Sequence, residues 1–457
     1  MTSSNETERL KQIDLNSLWH PFTQHNVWES VEDSPVIEAG EGFELIDTEG
    51  NRYLDGISAL WCNVHGHGVP RLLDAIARQS QKLAHSTLLG STHRPAIELA
   101  EELLRWVPAN LKRVFYSDSG SAAVEAGLRM AFEWWSKAKG QSGRTKFISL
   151  QSSYHGDTLG SVGVGYHPAF HQVLNSIVVQ GIQFAPPHLF RIQDNLSLKE
   201  AETASIAHLT EILEREHLSV AAIVIEPIVQ GAAGIWVQSG DFLKRVENLA
   251  RQYGVLLICD EVAVGFGKTG KMFAVEHADV QPDIMILGKG LSGGYLPISA
   301  AVATEEIFNG FRGKVSEGKT FYYGQTFSGN PIASAVSIES LKLFRENKVL
   351  ETFRSREMAY ADALKDNVAS LRHVYEIRRV GFMTGIELTS IPGELSPYAP
   401  DKLIGVKIVK RARDLGLIIR PLGNVMVLMP AVSMDIDSLR RVATLAAEAI
   451  ESVTNTQ

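Results

Sequence analysis

From about residue 70, short apolar runs alternate with longer stretches of helical periodicity. The runs are RVFYSDSG, KFISLQSSYHG, AAIVIEPIVQG, GVLLICDEV and DIMILGKG, and helical stretches such as PAIELAEELLRWV lie among them. Near-continuous apolar strands separated by helices indicate a mostly parallel sheet covered on both faces, the α/β class. Upstream, GFELIDTEGNRYLDG alternates apolar and polar residues around Glu49, Gly50 and Asn51, so it reads as a β-hairpin. The first dozen residues read as a loose arm. After YYGQTFSGNPIASAVSIESLKLF, a long helix leads into mixed strands and helices. This divides the chain into an arm and hairpin (1–68) that belong to a smaller domain, a large domain (69–335), and the C-terminal part of the smaller domain (336–457).

Three of the strand runs end in charged groups: Glu226, the pair Asp260 and Glu261, and Lys289 in LGKGLSGGY. Ligands of open parallel α/β sheets bind beyond the carboxyl ends of the strands, so these groups are expected to converge on one crevice. A lysine in an apolar pocket can form Schiff bases with carbonyls. Pyridoxal phosphate chemistry needs that lysine and an acid facing the pyridinium nitrogen, a part open to Asp260. Gly288 and Gly290 would let a flat cofactor approach the backbone. In FYSDSGSAAVEAGLRMAFEWW, Gly120 and Ser121 fall at a helix start, where free amides and the dipole favour a phosphate, although a well-capped helix explains the same residues. SYHGDT adds a flat ring, Tyr154, beside His155 and Asp157.

Composition narrows the class. The 457 residues carry a net charge of -8 with no basic stripe, which disfavours nucleic-acid binding. No apolar stretch reaches the roughly 20 residues of a membrane span. The N-terminus lacks an apolar signal region, and only Cys62 and Cys259 are present, so a cytoplasmic enzyme is expected. GFGKTG is not a phosphate loop, because Val262 occupies the first glycine position. His65 and His67 lack the companions of a metal site. Trp106, Trp134 and Trp135 fall on helical patterns and read as core.

The set DSGSAAVEAGLRMA, SYHGDT, IEPIVQG, CDEVAVGFGKTG, DIMILGKGLSGGYLP and GQTFSGNP resembles the class III aminotransferases, pyridoxal phosphate enzymes of fold type I, from about residue 18 to the C-terminus. The resemblance implies a large domain with a mostly parallel seven-stranded sheet, a smaller α+β domain, and a homodimer with shared active sites. It implies an internal aldimine on Lys289, Asp260 against the pyridinium nitrogen, Val262 behind the ring and Tyr154 in front, beside His155. Gly120, Ser121 and Thr326 would bind the phosphate, Thr326 from the second subunit, and Gln325 would be a further cofactor-binding residue. Arg420 would hold a substrate carboxylate through a bidentate pair, and Phe22, Trp61, Tyr154 and Gly324 would line the substrate side. No metal is implied.

Within the class, LWHPFTQH, ALWCNVHGHG and LAHSTLLGSTHRPAIELAEELL resemble the biotin-synthesis branch, as found in bacilli. That implies ping-pong conversion of 8-amino-7-oxononanoate to 7,8-diaminononanoate, with a small keto acid and an amino donor as partners. A broad omega-amine:pyruvate transaminase and a non-transaminating aminomutase or racemase remain alternatives. Relatives acting on ornithine or 4-aminobutyrate carry a Glu where Ala232 stands, so Arg420 would stay available for a carboxylate. Ala263, Lys268, Gln325, Leu60 and Phe22 also depart from common family residues, the last two on the substrate side.

Overall fold

The structure is a computed structural model that describes residues 4–32 and 34–456. Its contacts divide the chain into two units: Arg71–Asn347, and Met1–Pro70 together with Lys348–Gln457. The helix Pro331–Glu346 stays whole in the first unit, whereas a boundary at 335/336 would cut it.

The unit Arg71–Asn347 is built on seven strands: β1 (Leu111–Ser117), β2 (Lys146–Leu150), β3 (Ile182–Phe184), β4 (Val220–Ile225), β5 (Leu256–Asp260), β6 (Ile284–Leu287) and β7 (Ser299–Thr304). They lie in the order β3-β2-β4-β5-β6-β7-β1. β7 runs antiparallel to both its neighbours, and the other pairings are parallel. Every residue of β4, β5 and β6 is buried, as a sheet with helices on both faces requires. The chain therefore folds as the expected α/β class with a mostly parallel sheet.

Helix α1 (Gly120–Lys139) follows β1 directly and lays Ala123, Val124, Ala131, Trp134 and Trp135 against residues of β4 to β7. Gly127 makes this close packing possible, because a Cβ there would stand 2.7 Å from Ile286 Cδ1. Ser119 caps α1, its Oγ accepting the Ala122 amide at 3.2 Å, and Gly140 ends it in the left-handed conformation. Trp106 is only half-buried and packs edge-on against Phe344.

In the second unit the predicted hairpin is present as Glu44–Asp47 and Arg52–Asp55, with Gly50 at φ 86° in its turn. Ile37–Glu41 extends it on one side, and Leu417–Ile418 pairs in parallel with Arg52–Asp55 on the other. A second sheet joins Val374–Val380, Met383–Leu388, Val425–Leu428 and Arg420–Leu422, all antiparallel. The N-terminal arm is not loose: Ser4–Ser17 is a helix, anchored by a buried hydrogen bond of 2.8 Å between the Thr7 and Thr48 hydroxyls.

Just after the hairpin, four consecutive residues other than glycine lie in the left-handed region. Ser58, Ala59, Leu60 and Trp61 have φ of 45°, 49°, 67° and 69°. Each such residue costs roughly 1–2 kcal/mol relative to the right-handed conformation. No helix among the described residues is long and apolar enough to cross a membrane.

Candidate active site

Asp260 is the last residue of β5 and is 4% exposed. One carboxylate oxygen, Oδ2, lies 2.7 Å from His155 Nδ1, and the other accepts the Val262 amide at 3.0 Å. His155 is buried, and its Nε2 has no hydrogen-bond partner among the described residues. Burial alone would lower the His155 pKa, but the hydrogen bond and charge of Asp260, with the charge of Glu226, raise it overall.

Glu226, just past β4, is not in solvent either. Its Oε2 accepts the Tyr154 amide at 3.2 Å and its Oε1 accepts the Gly231 amide at 3.0 Å, so it ties the Tyr154 loop to the strand end. Burial pushes this carboxyl up to about 7, against the opposing pull of His155 and the two amides. Glu261, next to Asp260, points elsewhere, since successive residues of an extended chain face opposite ways. It is fully buried and accepts the amides of Ala274 and Val275 at 2.9 and 2.8 Å. Burial pushes its carboxyl up to about 8, and its place is structural rather than in the crevice.

Lys289 is half-buried and opens a short 3-10 turn, Lys289–Ser292, with φ 45°. Three chain segments meet beside it. A Cβ on Gly120 would stand 2.9 Å from Val262 Cγ1, and one on Gly288 would stand 3.4 Å from the same atom and 3.6 Å from Gly120 Cα. The start of α1, Val262 two residues past β5, and the residue before Lys289 thus come together. Gly290 is bare for a different reason from the one expected: a Cβ there would meet Phe266 Cβ at 2.7 Å, so its space is filled by protein.

At the α1 start, Ser119 takes the amides of Ala122 and Ala123, through its Oγ and its carbonyl. The amides of Gly120 and Ser121 have no acceptor among the described residues. The Ser121 hydroxyl accepts the Asp157 amide at 3.1 Å, and Gly156 (φ 116°) lies so close that a Cβ would overlap that hydroxyl. The Tyr154 hydroxyl donates to Asp157 Oδ2 at 2.5 Å, which fixes the ring, and burial together with Asp157 raises the phenol pKa. Asp157 is thus the ring's anchor, a part that the motif SYHGDT places near Tyr154 without revealing it.

Gly324 and Thr326 are exposed, and Gln325 is held by Ser328, whose hydroxyl accepts the Gln325 amide at 3.1 Å. Tyr323 joins this stretch to the α1 start, its hydroxyl donating to the Ala122 carbonyl at 3.2 Å. Lys268 is buried, its Nζ donating to the Gly265 carbonyl at 3.0 Å, so GFGKTG does not present a lysine to solvent. Phe22, Trp61 and Arg420 belong to the other unit. There Phe22 is exposed at φ 51°, and Trp61 is 8% exposed at the end of the left-handed turn. Arg420 is half-buried at the start of the strand Arg420–Leu422, where its backbone pairs with Val427, and its guanidinium has no hydrogen-bond or ion-pair partner among the described residues. His67 is engaged by Asp55, and among the described residues no three or more His, Cys, Asp or Glu side chains are grouped to hold a metal ion.

The sequence model of the family described as aminotransferase class-III matches residues 28–450. The chain is 44% identical over 453 residues to an adenosylmethionine-8-amino-7-oxononanoate aminotransferase of Nitratidesulfovibrio vulgaris, covering 99% of this chain and 83% of that one. It is 42% identical to the Staphylococcus aureus protein of the same name, covering 98% and 99%. The chain is a class-III aminotransferase.

Solved structures agree. The Methanocaldococcus jannaschii protein of that name superposes with a TM-score of 0.92 at 34% identity, covering 98% of this chain and 99% of that one. An omega transaminase of Pseudomonas jessenii in complex with PMP superposes with a TM-score of 0.91 at 28% identity, covering 98% of each chain. As a class-III aminotransferase, the chain uses pyridoxal 5'-phosphate and has the fold-type-I architecture. Its residues fit that cofactor: buried Asp260 suits a cationic ring nitrogen, the unclaimed amides of Gly120 and Ser121 suit a phosphate, and Gly120, Val262 and Gly288 form a surface that side chains leave low.

Proposed function

We propose that this aminotransferase converts 8-amino-7-oxononanoate to 7,8-diaminononanoate in biotin synthesis, by a ping-pong exchange in which an amino donor and then the keto acid use one site. The reading is carried by its 44% identity, over 99% of the chain, to a relative named for that substrate. A broad omega-amine transaminase is the second reading, since the Pseudomonas jessenii structure superposes nearly as well. Its lower identity of 28% favours the first.

Bound pyridoxal phosphate supplies a carbonyl that exchanges with amines and a ring that accepts the electron pair released at the substrate carbon. Lys289 Nζ would hold the cofactor covalently, then take and return the proton at that carbon. Asp260, oriented by His155, would keep a proton on the ring nitrogen. Gly120, Ser121 and Thr326 would bind the phosphate, Gln325 would be a further cofactor-binding residue, and Val262 and Tyr154 would enclose the ring. Arg420, without a competing partner in its unit and with Ala232 in place of the family Glu, would pair with the substrate carboxylate. Phe22, Trp61 and Gly324 would line the substrate side. A cytoplasmic homodimer with shared active sites belongs to the same reading; exposed Leu89, Tyr322 and Phe327 are surface that a second copy would cover.

The test is incubation of the holoenzyme with 8-amino-7-oxononanoate and, separately, S-adenosylmethionine, lysine or alanine as donor. Formation of 7,8-diaminononanoate with one donor is the expected result. Lack of that product with every donor, while pyruvate is aminated by simple amines, would overturn the reading in favour of the second.

A further inference from the structure

The carboxylate of Asp157 stands between two rings. Its Oδ2 accepts the Tyr154 hydroxyl at 2.5 Å, and its Oδ1 lies 3.5 Å from Nε2 of His171. The Asp157 side chain is 51% exposed and that of His171 only 4%. His171 Nδ1 accepts the His167 amide at 3.1 Å, so a neutral imidazole carries its hydrogen on Nε2, the atom turned toward Asp157. Nε2 is buried and has no hydrogen-bond partner among the described residues, which leaves that carboxylate as the group able to satisfy it. A shift of about half an ångström would close the gap into a hydrogen bond.

The imidazole is held from several sides. Its plane lies 15° from that of Tyr154 with centroids 6.2 Å apart, and Phe170 and Tyr166 pack against it at 6.0 and 6.2 Å. The Tyr166 carbonyl accepts Nε2 of Gln183 in β3 at 3.2 Å, which ties this turn to the sheet. Around Asp157 the backbone is already fixed, since Ser121 Oγ accepts its amide and Glu125 accepts the Gly160 amide at 2.9 Å. What remains to be set is the side chain. An exposed carboxylate readily turns to water, because water replaces a phenol as donor at little net cost. A buried donor on its other oxygen keeps it in one rotamer, and with it the Tyr154 ring.

We propose that His171 is a positioning residue for amine exchange: through Asp157 it holds the Tyr154 ring in place over the cofactor. This rests on the reading that Tyr154 encloses the cofactor ring and is independent of which keto acid is used. Every residue involved lies within the unit Arg71–Asn347.

The experiment reads circular dichroism in the cofactor band of the holoenzyme, and kcat with whichever of S-adenosylmethionine, lysine and alanine serves best as donor. Melting temperature checks folding. Tyr154→Ala tests the underlying reading. His171→Phe keeps a flat ring without a donor, and His171→Gln places an amide nitrogen where the imidazole Nε2 stood. His171→Phe should weaken the dichroism and lower kcat about tenfold, the worth of one hydrogen bond to a charged group. His171→Gln should restore both readouts to within about twofold of the parent. Added to Asp157→Ala, His171→Phe should have no further effect beyond about twofold, as expected of residues that act in series. If Tyr154→Ala leaves both readouts unchanged, the reading of Tyr154 fails and the proposal with it. If Tyr154→Ala changes them while folded His171→Phe does not, the proposal alone fails. Losses that add between His171→Phe and Asp157→Ala would also overturn it, because His171 would then act by packing rather than through Asp157. Where none of the three donors is used, the dichroism decides. Should His171→Phe not fold, His171→Asn, whose amide reaches only to the Nδ1 position, takes its place.

Discussion

His155 Nδ1 sits 2.7 Å from Asp260 Oδ2 with both side chains buried, so the acid at the end of β5 is oriented by a residue from a different strand's loop. A hydrogen bond to a charged group is worth about 1.5–3 kcal/mol, or roughly 10- to 150-fold in rate if it acts in the transition state. His155→Gln should therefore lower kcat within that range, and Asp260→Asn should lower it by more than about a hundredfold. Single-turnover amine transfer, followed by cofactor absorbance, measures both. Equal and small effects would separate the pair from catalysis.

Gly120 and Val262 make a second test of the crevice. Gly120→Ala drives a Cβ to 2.9 Å from Val262 Cγ1 and disturbs the α1 start. Pyridoxal phosphate affinity should fall about tenfold, within the usual cost of overpacking. Adding Val262→Ala should recover most of it, which a titration of the apoenzyme by absorbance will show.

Arg420 predicts a substrate effect without a cofactor effect. Arg420→Ala should raise KM for the keto acid by about a hundredfold, as expected for removal of one partner of a desolvated charge pair. Arg420→Lys should recover only part, because an ammonium cannot reproduce the two parallel hydrogen bonds of the guanidinium. The cofactor spectrum should not change in either variant.

Glu261 predicts a pH dependence of stability. Its carboxyl is raised from 4.5 to about 8 by burial. Between these values the unfolded chain is ionised while the folded one still holds the proton. Stability therefore falls as pH rises through this window, by up to about 1.4 kcal/mol per pH unit, and levels off above about pH 8. Urea unfolding from pH 5 to 8.5 should show a shallower decline in Glu261→Gln than in the parent. Glu226, raised to about 7, contributes with the same sign over a narrower range in both proteins.

Much of the large sheet could be read from the chain because β1, β2, β4, β5 and β6 are apolar runs that end in distinctive residues. Two strands left little trace. β3 has only three residues, and β7, SAAVAT, consists mainly of small side chains whose strand signal is weak. Asp260 and Lys289 stood out because three strand runs end in charge and these two, an acid and a lysine on adjacent strands, match one chemistry. By contrast, Glu226 and Glu261 share that pattern and are held by backbone amides, a difference that depends on loops distant in sequence. The left-handed turn was invisible for a related reason. Ser-Ala-Leu-Trp carries no glycine to signal it, and the angles are imposed by Asp55 and residues that follow.

The unit made from both chain ends also sets an order of assembly. Its N-terminal seventy residues leave the ribosome long before residues 348–457 exist, a wait on the order of tens of seconds at ordinary rates of synthesis. Through that interval the edge formed by Arg52–Asp55 has no Leu417–Ile418 to pair with. The nascent chain must carry an unfinished sheet edge past a large unit that can already fold, which makes this edge the natural point of contact for chaperones and the weak point for aggregation during synthesis.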